Sequence, residues 1–552
     1  MTQVDCFAIG VKLFGAYWLE LSTPPEALCF RYGLVSINAT TEEITIGDAP
    51  PIDMRDFIDE LKIRKQNNGG NVRTLVAGAI VEPPPKTPEN ISDYGPRPLE
   101  FLHLRYRLAS ALRAQANNGG VEREHFDALG LDSTSCTTAL STEWGHYKAD
   151  LKKLGQHPGM SDMKLAALAA NHELIDRMQH TRRVIQIWEE LREFLSRADI
   201  NVSGRLILTQ ENGQRIVKWR GIEQIKKQFT VPTLLLDATL PELPMLQVYH
   251  PRAEIVADIK VELPKNVHIR QILGAPTSAR KLNRERYLIE IRRHILARYL
   301  ELNRPLTLVI CQQKLENWLK QSGLPDDITV EHYNNITGID DYRDVRLMLL
   351  IGRTAPGPQA MEALAAALTG KCPAPATANG NSFHWYNAVQ RGIRLRDGSG
   401  VATKGDLHPD PDVEAVRYQI HEAELVQALG RARGINRTMT NPLDADLLFN
   451  TAIPTTVDKV EHWQTPSLLI ETAIDGVMLT APCDLVKRWP NLWPNRKAAT
   501  RTLQQTTPKF PGFKPVEYQL AGPNMNKRIG YFNQTLISDP YEWLTVHIGQ
   551  LN

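Results

Sequence analysis

The chain has 552 residues, 42% of them hydrophobic and 23% charged, the balance of a globular protein long enough for several domains with cores of their own. Its 64 Lys and Arg stand against 62 Asp and Glu, so the net charge of +2 says little and only local charge is informative. Six cysteines (Cys6, Cys29, Cys136, Cys311, Cys372, Cys483) lie far apart, with no C-x-x-C pair and no H-E-x-x-H run, which argues against a disulfide scaffold and a structural zinc site and fits a reducing cytoplasm.

Taken in chain order, the apolar opening Val4 to Leu21 is broken by Lys12 and Glu20 and lacks a basic leader, so neither export nor a membrane span is expected. Met1 to Val81 alternates short apolar runs with turn signals and yields no recognisable site; Met54 to Ile63 is amphipathic and helical in pattern. Glu82 to Pro98 is proline-rich and cannot sustain a helix or a central strand, which sets a boundary there. Leu99 to Ser196 reads as mostly helical, with Leu174, Met178, Ile185, Trp188, Leu191 and Leu195 on one packing face. From Thr230 the pattern becomes strands alternating with helices. Strands are predicted at Leu234–Asp237, Glu254–Val261, Leu306–Gln312, Ile328–Tyr333 and Arg346–Gly352, with a helix from Gly357 to Leu368. Continuous apolar strands separated by helices indicate a parallel sheet covered on both faces.

Within this region Lys265 to Arg304 carries ten Lys or Arg against three Glu. The block suits a polyanion, and equally the solvated face of a helix, since Leu288, Ile291, Ile295 and Tyr299 fall at helical spacing while Arg286, Arg292 and Arg293 lie away from them. Lys371 to Asp412 is rich in Pro, Gly and Asn and reads as an exposed insertion; Trp385 and Tyr386 within it suit local packing, and His384 and His408 lack partners at metal-ligand spacing. In the last hundred residues, Pro466–Ile474, Pro482–Arg488 and Pro494–Gln505 read as short helices, and Val516–Leu520 and Lys527–Phe532 as strands joined by Gly522–Asn526. Three helices and a hairpin resemble a winged helix. Arg496, Lys497 and Arg501 on its third helix, with Lys527 and Arg528 on its hairpin, are candidate phosphate contacts; such a module also serves as a protein dock.

The most informative stretch is Gln427-Ala-Leu-Gly430-Arg431-Ala-Arg433, closing a helix predicted from His421 to Ala432. A guanidinium keeps its charge and donates several hydrogen bonds in a rigid fork, so it can stabilise charge spreading over phosphate oxygens. With Arg437 nearby, the same run also reads as a basic surface helix. The stretch resembles the arginine-bearing motif of superfamily 2 helicases. Asn335-Ile-Thr337-Gly338-Ile-Asp340 and the apolar strand after it resemble that family's glycine-aspartate motif, and Leu234-Leu-Leu-Asp237-Ala-Thr239 resembles the coupling motif that ends its first motor lobe, with Asp where Ser is usual. Leu306–Gln312 reads as the strand that opens the second lobe, or as an ordinary buried strand. The resemblance implies that Arg431 and Arg433 reach the γ-phosphate, that Gln427, Gly430, Asp237, Thr239 and Asp340 serve the nucleotide or couple it, and that Thr337 and Gly338 meet the nucleic-acid backbone.

A motor also requires a glycine-rich loop ending in Gly-Lys-Ser/Thr. Gly370-Lys371-Cys372 has the dipeptide but neither the upstream glycine nor the hydroxyl, and no apolar strand ends in an Asp-Glu pair. The expectation is therefore an α/β protein in four parts. Residues 1–98 have no assigned role; 99–240 form a helical region ending in the tail of a first lobe; 241–455 form a RecA-like lobe; 456–552 form a winged-helix-like domain. The wider pattern resembles long replication or mobilisation proteins of bacterial mobile elements. Expected partners are DNA or RNA and a separate ATP-binding lobe, with ATP and magnesium shared with that lobe and no membrane. Whether the chain is an enzyme rests on that lobe, and the alternatives are a non-catalytic nucleic-acid-binding module or a degenerate helicase fragment.

Overall fold

The computed structural model describes residues 79–80, 98–116, 118–155, 172–211, 214–222, 225, 233–235, 237, 239–259, 262–333, 335, 342–376, 385–505, 508–522 and 525–552. The helical reading of Met54–Ile63 and the spacer from Glu82 to Arg97 lie outside these residues. In chain order the elements are β1 (Ala79–Ile80), α1 (Pro98–Ala114), β2 (Gly119–Glu122), α2 (Glu124–Asp127), α3 (Ser133–Leu154), α4 (His172–Ser196), β3 (Val202–Glu211), β4 (Gln214–Trp219) and α5 (Leu243–Gln247). They continue with β5 (Val267–Leu273), α6 (Glu285–Glu301), β6 (Thr307–Cys311), α7 (Gln313–Gln321), β7 (Ile328–His332), β8 (Leu347–Ile351), α8 (Pro358–Thr369), β9 (Asn387–Leu395), β10 (Gly400–Leu407), α9 (Pro411–Gly430) and β11 (Leu443–Leu448). The last are β12 (Thr456–Val457), β13 (Lys459–His462), α10 (Ile470–Ala473), β14 (Val477–Leu479), α11 (Pro482–Arg488), α12 (Arg496–Leu503), β15 (Phe513–Tyr518), β16 (Arg528–Asn533) and α13 (Pro540–His547). Contacts group these into two units. The first takes residues 1–256, 356–387 and 407–419, and the second takes 257–355, 388–406 and 420–552.

In the first unit an antiparallel sheet of order β1-β4-β3-β2 packs on helices α1, α3 and α4. Ile185, Trp188 and Leu191, spaced at three residues along α4, are fully buried against Cys136 and Ala139 of α3 and Leu206, Leu208 and Trp219 of the strands, which is the packing face the spacing predicts. Asp132 starts α3 by accepting from the Ser135 N–H at 2.7 Å. The end of α4 is closed by a side chain. The Arg123 guanidinium donates to the carbonyls of Phe194, Leu195, Arg197 and Ile200 and lies 5.0 Å from the Phe194 ring, so carbonyls left over at a helix end are satisfied by one fork. Arg205 does the same for α8, donating to Ala367 and Leu368. Gly204 sits so close to that helix end that a Cβ would lie 2.0 Å from the Lys371 carbonyl, which makes glycine obligatory there.

The second unit is built on a six-stranded, all-parallel sheet of order β13-β5-β11-β8-β6-β7. Every residue of β6 and β8 is buried, as continuous apolar runs require in a sheet covered on both faces. One face packs against α6 and α7 through Ile291, Ile295, Leu315 and Leu319; the other packs against the second half of α9, through Leu425, Ala428 and Leu429, and against Ile393 of β9. The mixed α/β class with helices on both faces of a parallel sheet is thus observed. The strands at 306–312, 328–333 and 346–352 lie where they are predicted. Glu254–Ile259 is not a strand: Ile255, Val256 and Ile259 are 58%, 73% and 80% exposed, and the sheet uses β5 instead. Leu234, Leu235 and Asp237 are likewise not in a strand. The predicted insertion 371–412 contains β9 and β10, joined by a four-residue turn. Among the described residues no helix is long and apolar enough to cross a membrane.

The C-terminal part of this unit runs helix, strand, helix, helix, strand, strand, helix, with β14 and β15 both antiparallel to β16. Its own core gathers Leu479, Leu485, Trp493, Ala499, Phe532 and Leu544.

Candidate functional site

The arginine run lies past the end of α9, not inside it. That helix starts ten residues before the predicted His421, at Pro411, where a missing N–H costs nothing and where Asp412 and Glu414 favour the positive end of the helix. It stops at Gly430, so Arg431, Ala432 and Arg433 form the exit: the Arg431 N–H reaches the Ala428 carbonyl at 3.1 Å and that of Arg433 reaches Gly430 at 3.0 Å. Arg433 is left-handed (φ 52°), a conformation that costs a non-glycine residue about 1 kcal/mol. A short 3-10 turn, Gly434–Asn436, follows.

Exposure separates these residues. Arg431 is 9% exposed and Arg437 5%, Gln427 and Arg433 are half-buried, and Gly430 is exposed. Arg437 is not a solvated cation: its Nε donates to the Ala432 carbonyl at 2.9 Å and its Nη1 to Asn441 at 3.1 Å, which pins the loop back on itself. The next contacts, Asn266 Nδ2 to the Arg437 carbonyl and Leu443 N–H to the Asn266 carbonyl, fix this exit at the edge where β5 and β11 begin.

Of the other predicted coupling residues, Asp237 accepts from the Thr239 N–H at 2.7 Å and from its hydroxyl at 3.3 Å, closing a local turn. The Gln419 side chain donates to the Thr239 carbonyl at 2.6 Å. Thr337, Gly338 and Asp340 lie outside the described residues.

At the opposite, carboxyl edge of the parallel sheet lies a polar network that the sequence reading does not assemble. After β6 the chain turns to β7 on one side, and after β8 it goes to β11 on the other, so the carboxyl ends of β6 and β8 flank a point where connections diverge, the usual place for a crevice in such sheets. There Gln312 Nε2 donates to the Arg353 carbonyl at 3.0 Å, Arg353 Nη2 to Asp406 at 2.7 Å, and Arg353 Nη1 to Thr451 and His421, both at 3.1 Å. Because Arg353 can only donate, His421 Nε2 is the acceptor and its ring proton sits on Nδ1, 3.6 Å from Glu422. The sequence signal was present in Gly352-Arg353, a charged residue directly after a buried strand.

The basic block divides in two. Arg292 and Arg293 both grip Glu471, at 2.7 and 2.8 Å. Arg270 and Arg298 meet on Asp446, which is fully buried in β11, and Arg304 donates to the Ile474 carbonyl. Burial alone would push the Asp446 carboxyl up, but the adjacent His294, Arg270 and Arg298 outweigh it and hold the group well below the usual carboxylate range. These five arginines are internal fasteners. Lys265, Arg280, Lys281, Arg284 and Arg286 are exposed.

In the C-terminal part, Arg496, Lys497 and Arg501 are exposed on α12, whose first turn is capped by Asn495 accepting from Ala498 at 2.9 Å. Lys527 is exposed, 3.8 Å from an equally exposed Glu517. Arg528 points inward instead, bonded to buried Asp484, which also accepts from the Tyr518 hydroxyl; this ties α11 to both strands of the hairpin. In the first unit, His408 is buried, its Nδ1 accepting from the Asp410 N–H and its Nε2 facing Glu362 at 3.2 Å. Glu122, Glu124 and His125 bring three possible metal-ligating atoms together on a partly exposed turn of that unit.

No family model matches the chain, and no curated protein matches it. Among solved structures, one similar chain is named "XPD_Helicase", at 11% identity and a TM-score of 0.27, with 64% of each chain covered. The present chain thus spans somewhat under two thirds of that chain's length. A second, described as "The structure of LepI complex with SAM", shares 14% identity over 91% of this chain and 95% of the other, at a TM-score of 0.09. At these scores neither likeness bears on the chemistry.

Proposed function

We propose that the second unit is the second motor lobe of a superfamily 2 type nucleic-acid protein, a RecA-like lobe followed by a winged helix. The observation that carries this reading is the placement of Gln427–Arg433. The run leaves a helix packed on a parallel sheet and carries its two arginines, Arg431 buried and Arg433 half-buried, on a loop pinned by Arg437. A fork on such a support suits ATP held by another lobe, as it needs no phosphate loop on its own sheet. Arg431 and Arg433 would be the fingers, Gln427 and Gly430 would lie beside the nucleotide, and Asp237, Thr239 and Asp340 would couple it to nucleic acid held by Thr337 and Gly338. A hydrolysis assay tests the reading. The purified chain should not hydrolyse ATP by itself, because nothing in its sequence offers a Gly-Lys-Ser/Thr cradle, and a phosphate-loop lobe added in trans should restore turnover stimulated by nucleic acid. Robust turnover by the isolated chain, free of contaminating ATPases, would overturn the assignment of that cradle to a partner.

The alternative, a nucleic-acid-binding module without turnover, is favoured by one observation: Arg431 is 9% exposed, less than a finger needs when it acts. Both readings use the winged helix. Its order of elements and the three exposed cations of α12 support nucleic-acid binding there, with Lys527 as the cation of the wing and Arg528 fixing the wing's base. Replacing Arg496, Lys497 and Arg501 together by Ala should weaken binding and reduce the slope of log affinity against log salt by about 2 to 3, since each phosphate contact contributes roughly 0.7 to 0.9. An unchanged slope would assign the domain to protein docking.

A further inference from the structure

The basic block keeps four exposed cations at one place. Arg280, Lys281, Arg284 and Arg286 fall within seven residues that span the end of the loop leaving the carboxyl end of β5 and the first turn of α6. Among the described residues none of the four has a carboxylate within ion-pair distance, in contrast to Arg270, Arg292, Arg293 and Arg298. Glu285 is the single acid in the stretch. The loop is firmly rooted. Gly274, left-handed at φ 79°, donates its N–H to Asn450 Oδ1 at 2.8 Å; Leu282 is 1% exposed and anchors a 3-10 turn, Lys281–Asn283. Tyr287 stands between two of the cations, with the Arg286 guanidinium 4.4 Å and the Lys281 ammonium 5.9 Å from its ring. A fifth cation joins from the next strand's loop, since Lys314, in the first turn of α7, donates to the Asn283 side chain.

Closely spaced cations without a carboxylate within ion-pair distance repel one another, and although Arg286 donates to the Tyr287 hydroxyl, the charge of these four is left to an external anion where that of the neighbouring arginines is paired inside the fold. We infer that this carboxyl-edge loop, Arg280 to Arg286 with Lys314, binds the phosphodiester backbone of a single-stranded nucleic acid. The cations lie on a three-residue turn and at the start of α6, whose body is packed into the core through Leu288, Ile291 and Ile295, not on a projecting helix or two-stranded ribbon that enters a duplex groove, so their contacts are to backbone and independent of sequence. Closely spaced cations beside an aromatic ring match a flexible strand whose phosphates follow the surface. The inference rests on the reading of this unit as a nucleic-acid protein but not on the arginine run, and it is separate from the α12 surface.

The test replaces Arg280, Lys281, Arg284 and Arg286 by Gln in the full chain. Binding of a labelled oligothymidylate of about 30 nucleotides is followed by anisotropy across a salt series. The slope of log affinity against log salt should fall by about 3, from four contacts at roughly 0.7 each, with affinity lower by about a hundredfold near 0.1 M salt. A matched variant with Lys148, Lys152, Arg183 and Arg252 changed to Gln carries the same loss of charge at other exposed positions and should bind like the parent. Thermal melting should be unchanged in both. If the matched variant loses as much, the effect is net charge and the inference fails; if the slope is unchanged while the α12 variant loses binding, the loop alone is misassigned. Equal losses on a duplex of the same length would overturn the single-strand assignment. Absence of any binding by the parent chain would overturn the nucleic-acid reading itself and this inference with it.

Discussion

Arg431→Lys should leave nucleic-acid binding nearly intact while lowering ATP hydrolysis by the chain reconstituted with a phosphate-loop lobe by orders of magnitude. Lysine keeps the charge but loses the planar fork. Arginine fingers are worth roughly 10³ to 10⁵ in rate, so a loss near the lower bound is well separated from the effect of a small fold change. Arg433→Lys should fall in the same direction, and its left-handed backbone makes Arg433→Gly a useful companion that removes the guanidinium without adding strain. Arg437 cannot serve as the silent control that a basic surface helix would provide. Its fork holds the Ala432 carbonyl and Asn441 inside the protein, so Arg437→Lys should lower stability and shift the whole loop. The control belongs at an exposed position outside the proposed binding surfaces, and Arg252→Lys supplies it. Mild, equal effects at Arg431, Arg433 and Arg252 in a complex that hydrolyses ATP would remove the finger role and leave the non-catalytic reading.

The contrast between Arg431 and Arg437 shows what sequence carries and what it does not. β6 and β8 were legible because a strand buried on both faces must be continuously apolar, β7 because Ile328 and Val330 alternate with an exposed Thr329 as an edge strand allows, and α11 has the bounds that its proline and apolar spacing imply. β11 was not, because Asp444 and Asp446 interrupt its apolar run, and β5 was masked by Arg270 and Gln271 in the same way. Two of these interruptions are buried polar groups satisfied from far away: Asp446 by arginines 176 and 148 residues distant in sequence, Gln271 by the carbonyls of Phe449 and Thr451. The apolar residues of Glu254–Ile259 imitate a strand but are exposed, and among the described residues no long-range bond places the segment in the sheet. For the candidate site, resemblance singled out Gln427–Arg433 as an expectation, but the exit from the helix, the pinning by Arg437 and the network at Arg353 depend on contacts that no local window contains. The block from Lys265 to Arg304 was correctly basic. That Arg292 and Arg293 close on Glu471, nearly 180 residues on, decides which of its cations remain available.

Asp446→Ala should destabilise the second unit by about 3 to 5 kcal/mol, the cost of leaving buried cations without their anion. The carboxylate takes Arg270 through both oxygens, at 3.0 and 2.7 Å, Arg298 at 2.8 Å, and has His294 at 3.5 Å; its own exposure is nil and the Arg298 side chain is 8% exposed. Removal of the acid therefore strands Arg298 in a site that water does not reach, and Glu301, which it also pairs with, is too exposed to compensate. Asp446→Leu combined with Arg298→Met should recover most of the loss, because replacing a buried pair by apolar groups removes both desolvation costs together. The pH dependence has a definite sign. The folded carboxyl lies below its unfolded value of about 4, so the unfolded state binds the proton first. The stabilisation is complete above that value and is lost as pH falls through and beneath it toward the folded value. Urea melts between acid and neutral pH should show this slope in the parent and a shallower one in the double variant. A loss under about 1 kcal/mol for Asp446→Ala, within the range of an exposed ion pair, would show that the cluster does not hold the sheet. The consequence reaches the arginine run, because β11 follows it directly and Asp446 is the clamp that joins β11 to β5 and to α6.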